Sequence, residues 1–105
     1  MALQNFDASQ PDVDRVGDVL TDDEDLVAIV ATFQRLIAVT SRRLLLLEKS
    51  GDYSVIRNNQ ISSIEVSDGR GQEKFLKIYF GGGLSRTISV PGKRQATAIV
   101  SAAAR

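Results

Sequence analysis

The 105-residue chain contains no cysteine, no histidine and no tryptophan. Without cysteine there is no disulfide framework, no thiolate metal site and no thiol nucleophile, a composition that suits a reducing cytoplasm. Without histidine the chain lacks the side chain that most often acts as general acid or base near neutral pH. Catalysis would fall to carboxylates or lysine, yet most of the carboxylates crowd into the first 25 residues. Asp22, Asp23, Glu24 and Asp25 stand side by side, without the spaced oxygen ligands and the glycine of a calcium loop. No zinc ligand set exists either. The sequence therefore predicts no catalytic residue, no metal, no cofactor and no small-molecule substrate.

Long hydrophobic runs are also missing. The longest, Leu26 to Val39, is interrupted by Thr32, Gln34 and Arg35, and falls short of the roughly 20 residues that span a bilayer. The opening MALQNFDASQPDVD has no basic segment followed by an apolar one, so a secretory signal is not expected. These absences predict a cytoplasmic protein, with peripheral contact at the inner face of the membrane as its one membrane option.

The chain is 43% apolar and 25% charged, the balance of one globular domain with a single core. Its formal charge of zero conceals two unlike halves. Residues 1–25 carry eight acids and one base, Arg15, whereas residues 26–105 carry five acids and twelve bases. Residues 1–25 accordingly read as an acidic leader with a short helix, and residues 26–105 as the folded domain. The basic surplus is either ordinary solubilising charge or a surface for an anionic partner that the leader masks.

Residues 1 to about 10 read as irregular. Ser9, Gln10 and Pro11 then introduce the short helix, since Pro suits a first helical position, although Gly17 weakens it. The run from Leu26 to Glu48 supports two periods. A long helix, with Thr21 and Glu24 as a capping box, would be apolar all round and would need more burial than a small chain provides. Strands at 26–33, 35–40 and 43–48 are preferred. Further strands follow at 53–57, 61–67, 74–80 and 84–90, separated by turn residues. Gly81–Gly83 is the strongest hairpin signal. Pairing Phe80 with Leu84 puts Ile78 opposite Arg86 and Leu76 opposite Ile88, on a face shared with Phe80, Leu84 and Val90. Arg86 intrudes on that face, which predicts a carboxylate or carbonyl partner, or a position at a rim. After Pro91 and Gly92 a terminal helix shares Ala96, Ile99, Val100 and Ala103 on one side.

Seven strands followed by one helix is the element order of pleckstrin-homology-like domains, and three short motifs resemble the bacterial members. They are Leu20-Thr21-Asp22-Asp23-Glu24, the turn Val39-Thr40-Ser41-Arg42-Arg43-Leu44, and the strand from Ile61 through Ile64 to Val66, in order over roughly residues 20–104. The resemblance implies a mainly β fold: a seven-stranded barrel of two near-orthogonal antiparallel sheets, one open end plugged by the C-terminal helix. Many bacterial members have no known function and some self-assemble into rings; with neither histidine nor cysteine in the chain, the expectation is a non-enzymatic interaction module, protein-binding or self-assembling ahead of lipid-binding.

Two sets of residues are candidates for contact. Phe75, Lys77 and Tyr79 lie on the hairpin face opposite the presumed core, so two aromatics flank a lysine on an outward surface, which is either a protein or self-association interface or a face covered by the N-terminal leader. Arg35, Arg42 and Arg43 are the candidates for an anionic lipid or phosphorylated ligand, although the basic residues that eukaryotic relatives place around their first hairpin are missing. Arg42 and Arg43 also fit a purely structural turn. Nucleic acid is disfavoured because basic and aromatic residues do not interleave, and Gly81–Gly83 lacks the lysine and helix of a nucleotide loop.

Overall fold

The computed structural model describes residues 3–104. Its elements are β1 (Gln4–Phe6), α1 (Gln10–Gly17), β2 (Leu26–Ala31), β3 (Arg35–Thr40), β4 (Arg43–Glu48), β5 (Tyr53–Arg57), a 3-10 turn (Asn58–Gln60), β6 (Ile61–Asp68), β7 (Lys74–Phe80), β8 (Leu84–Val90) and α2 (Lys93–Ala103). The strands form one five-stranded sheet, in the order β1 to β5, and one three-stranded sheet, β6 to β8. The seven expected strands are β2 to β8, and every pair among them that shares a ladder is antiparallel.

Local chemistry sets the first elements. Ser9 caps α1: its hydroxyl accepts from the Asp12 amide while the Asp12 carboxylate accepts from the Ser9 amide, and Pro11 occupies the first turn. Gly17 ends the helix rather than interrupting it. Gln4–Phe6, expected to be irregular, forms β1 and adds a parallel strand to β2, with Gln4 opposite Ala28 and Phe6 opposite Val30. Three residues are too few to carry a period. The segment is held by a local turn, in which the Asn5 side chain accepts from the Ala8 amide at 2.9 Å, and by Phe6 packing on the core.

The core lies between the inner faces of the two sheets. Val30, Ile37, Val39, Leu44, Leu46 and Ile56 from the larger sheet meet Leu76, Ile78, Ile88 and Val90 from the smaller one. Ala96, Ile99, Ala102 and Ala103 of α2 complete this core, and Val100 packs at its margin. A second cluster sits on the outer face of the larger sheet. There Val16 of α1 is buried with Ile29, Leu36, Ala38, Leu45 and Leu47, and Val13, Val19 and Leu20 pack against them.

This second cluster explains the ambiguous period of residues 26–48. β3 and β4 are covered on both faces, so they read as continuous apolar runs, without the alternation of a half-exposed strand. β2 stops at Ala31, two residues earlier than predicted. The Thr32 hydroxyl accepts from the amides of Gln34 and Arg35 and donates to the Arg35 carbonyl, closing a tight turn. Phe33 is thereby placed at the hairpin tip, 91% exposed.

The β7–β8 hairpin has the predicted register: Phe80 opposite Leu84, Ile78 opposite Arg86, and Leu76 opposite Ile88. Gly81 and Gly83 adopt φ of 59° and 113°, conformations that other residues rarely tolerate.

Candidate functional site

The two polar motifs at residues 20–24 and 39–44 meet in space and form one hydrogen-bonded latch. A tight turn brings the Glu24 amide to the Thr21 carbonyl, and the Thr21 amide donates back to Glu24 Oε1 at 3.1 Å. Across the β3–β4 turn, Arg43 donates from Nε to Glu24 Oε2 at 2.8 Å and from Nη2 to Glu24 Oε1 at 2.6 Å. The Thr40 hydroxyl also donates to Glu24, while accepting from the amides of Arg42 and Arg43. Arg43 Nη2 reaches the Val19 carbonyl at 2.9 Å, which ties the end of α1 to the same point. The Arg43 guanidinium beside Glu24 is the chief reason that its carboxyl is held down at about 2, and the bonds from Thr40 and Thr21 act in the same direction against burial.

The three candidate arginines therefore do not form one site. Arg43 is consumed by the latch. Arg35 lies at the far end of β3, paired in register with Glu48, five residues and about 17 Å along β4 from Arg43. Its Nε stands 3.6 Å from Glu48 Oε1. Arg86 approaches the same carboxylate at 3.4 Å and donates to the Ser54 hydroxyl at 3.0 Å. The residue that intrudes on the apolar face is thus met by a carboxylate and a hydroxyl. Arg42 alone of the three points outward, in an exposed ion pair with Asp23 at 2.7 Å.

The sequence reading overlooked Arg57. It closes β5 directly opposite Arg43, on the same face of the sheet. A signal was available, because a β4–β5 hairpin turning at Lys49–Asp52 brings position 57 opposite position 43. Arg42, Arg57, Ser41 and Asn59 open onto a shared cleft of about 520 Å³, with the latch behind them.

Phe75, Lys77 and Tyr79 lie together on the outward face of β7. Ser67 and Ser89 flank Phe75, Glu65 and Thr87 flank Lys77, and Ser63 and Ser85 flank Tyr79. Lys77 is exposed, with Nζ 5.2 Å from the centre of the Tyr79 ring. The two aromatics are half-buried by their neighbours alone. Gly69 contributes, since a Cβ there would stand 2.9 Å from Phe75 Cε2. On the larger sheet the outward face of β2 to β4 is covered by α1, whereas on this one Ser63, Glu65, Ser67, Lys77, Ser85 and Thr87 are all exposed.

Among the described residues no helix is long and apolar enough to cross a membrane, and no group of three or more carboxylate, histidine or cysteine side chains is placed to hold a metal.

No family model matches the sequence, and no curated protein matches it. Two solved structures share the fold. A DUF1696 family protein with a pleckstrin-homology domain from Shewanella loihica is 18% identical, with a TM-score of 0.68 over 93% of this chain and 96% of that one. A pleckstrin homology domain from Shewanella amazonensis is 19% identical, with a TM-score of 0.64 over 90% of this chain and 86% of that one. With two packed sheets of five and three strands, an open rather than closed barrel and a C-terminal helix against the core, the chain has a pleckstrin-homology-like fold.

Proposed function

We propose that the chain is a non-enzymatic interaction module that docks a protein surface on the outward face of β6–β8, a second copy of the chain being the partner this face suits best. The observation that carries this reading is the uncovered strand β7, where Phe75 and Tyr79 stand on either side of Lys77. Aromatic side chains in a small polar frame supply contact area at low entropic cost. Ser63, Ser67, Ser85, Thr87 and Ser89 present no bulk that would hold another surface away. Glu65 beside Lys77 gives the face both signs of charge, so a copy related by a two-fold axis can pair lysine with glutamate. The chain's zero formal charge removes net repulsion between copies.

The module acts in the bacterial cytoplasm in this reading, and binding rather than turnover accounts for a chain without histidine or cysteine. Hydrogen exchange of the full chain at low and high concentration tests the face. Protection that rises with concentration across β7 and its neighbours is the expected result, and identical exchange at both concentrations would contradict self-association.

A further inference from the structure

We propose that the free edge of β5 accepts an extended segment of another protein as a sixth strand of the larger sheet, with a carboxylate of that segment placed opposite Arg57. This site is independent of the β6–β8 face. β5 pairs with β4 in an unbroken ladder, from Tyr53 opposite Leu47 to Arg57 opposite Arg43. No strand among the described residues pairs with its other side. The N–H and C=O groups turned outward along such an edge are a template for a further strand.

The four sheet edges are not alike. Shortness, bulges and charges, inward-pointing ones included, are the devices that blunt an edge against other chains. β1 has only three residues. β6 is irregular between Ile61 and Ser63 and exposes Glu65 and Asp68. β8 turns Arg86 inward, opposite Ile78. Along Tyr53–Ile56, β5 carries neither charge nor bulge, and it leaves Tyr53 52% and Val55 41% exposed. Both stand on the outward face, opposite Leu47 and Leu45. α1 buries those two leucines but leaves Tyr53 and Val55 bare, so the outer apolar face continues uncovered to the edge. An added strand would lay alternate side chains beside Tyr53 and Val55 while its backbone completes the ladder.

Charge selects the occupant. Arg57 and Arg43 are direct cross-strand neighbours, an arrangement that costs stability unless each has its own counter-charge. Arg43 has Glu24, whose carboxylate already accepts four hydrogen bonds, from Arg43 Nε, Arg43 Nη2, the Thr40 hydroxyl and the Thr21 amide. Arg57 is exposed and forms no ion pair among the described residues. A carboxylate on the added strand supplies the missing cross-strand partner. A second copy does not: its β5 contains no acid, so two β5 strands in antiparallel pairing leave both arginines uncompensated, and its other edges are blunted. The occupant is therefore an extended segment of a different protein, with an acid opposite Arg57 and apolar residues opposite Val55 and Tyr53.

NMR titration of the isotope-labelled full chain with the peptide acetyl-Glu-Thr-Val-Thr-Val-amide, the antiparallel complement of Arg57 to Tyr53, tests the edge. Amide shifts should centre on Tyr53–Arg57. Arg57→Glu should weaken binding about tenfold, and the same peptide with lysine in place of glutamate should recover it. Phe75→Ser, on the opposite sheet, should leave it unchanged. A strand bonds its neighbour through alternate amides, so N-methylation of the peptide at its two threonines, or at its glutamate and valines, should abolish binding in one case and spare it in the other. The proposal is overturned if millimolar peptide shifts no β5 amide, if the shifts centre elsewhere, or if the two methylated peptides behave alike. Undiminished binding of the glutamate peptide by Arg57→Glu also overturns it. So do β5 amides that shift with protein concentration when no peptide is present, which would assign the edge to a second copy.

Discussion

The guanidinium of Arg43 grips the carboxylate of Glu24 through two hydrogen bonds of 2.8 Å and 2.6 Å, and by doing so fastens the segment after α1 to the β3–β4 turn. The Glu24 side chain is inaccessible to solvent and that of Arg43 is 20% exposed, so neither charge can be rehydrated if the other is lost. Removing one partner from such a pair costs about 3–5 kcal/mol. Glu24→Ala and Arg43→Ala should each lower the urea midpoint by a corresponding amount. Because the two changes break the same bond, the double variant should be far less unstable than their sum.

The same pair predicts an acid limb. Glu24 is held at about 2 when folded and returns to the ordinary carboxylate range when unfolded, so in the window between them the unfolded chain binds more protons. Stability from this group is complete above the unfolded value and is lost as pH falls through the folded one, on the order of 3 kcal/mol in total. Unfolding measured from pH 5 to pH 2 should show a steeper fall for the wild type than for Glu24→Gln, which cannot ionise.

Val16 anchors α1 over Ile29, Leu36, Leu45 and Leu47. Val16→Ala should cost about 2 kcal/mol. Val16→Asp should release the helix and bare the apolar outer face, read as binding of a hydrophobic dye by a chain whose β-sheet circular dichroism is retained.

Arg86 occupies an otherwise apolar stripe and shares Glu48 with Arg35. Replacement by a flexible apolar side chain restores the stripe while Glu48 keeps Arg35. Arg86→Met should therefore stay within about 1 kcal/mol of wild type in thermal unfolding. Glu48→Gln leaves the two arginines without a counter-charge, and should cost more.

Much of the fold is legible in the sequence wherever one residue type has one job. Gly81–Gly83 sets a hairpin register that places every partner from Lys74 to Val90, because positive φ leaves few alternatives. The period of residues 26–48 is less informative, since burial on both faces erases the alternation on which strand assignment depends. Glu24 is the instructive case. Its spacing from Thr21 resembles a helix cap, and its carboxylate does accept from the Thr21 amide, but the residues that follow form a strand. The partner that decides its role, Arg43, is nineteen residues away. Arg57 went unnoticed for a similar reason: nothing in its own neighbourhood is unusual, and its meaning comes from standing opposite Arg43.

The central claim is that the outward face of β7 binds a second copy of the chain, and sedimentation velocity across a wide concentration range tests it most directly. Wild type should gain mass with concentration, whereas Phe75→Ser and Tyr79→Ser, folded by circular dichroism, should remain monomeric. A wild type that stays monomeric throughout, or variants that associate as readily as wild type, would contradict the account.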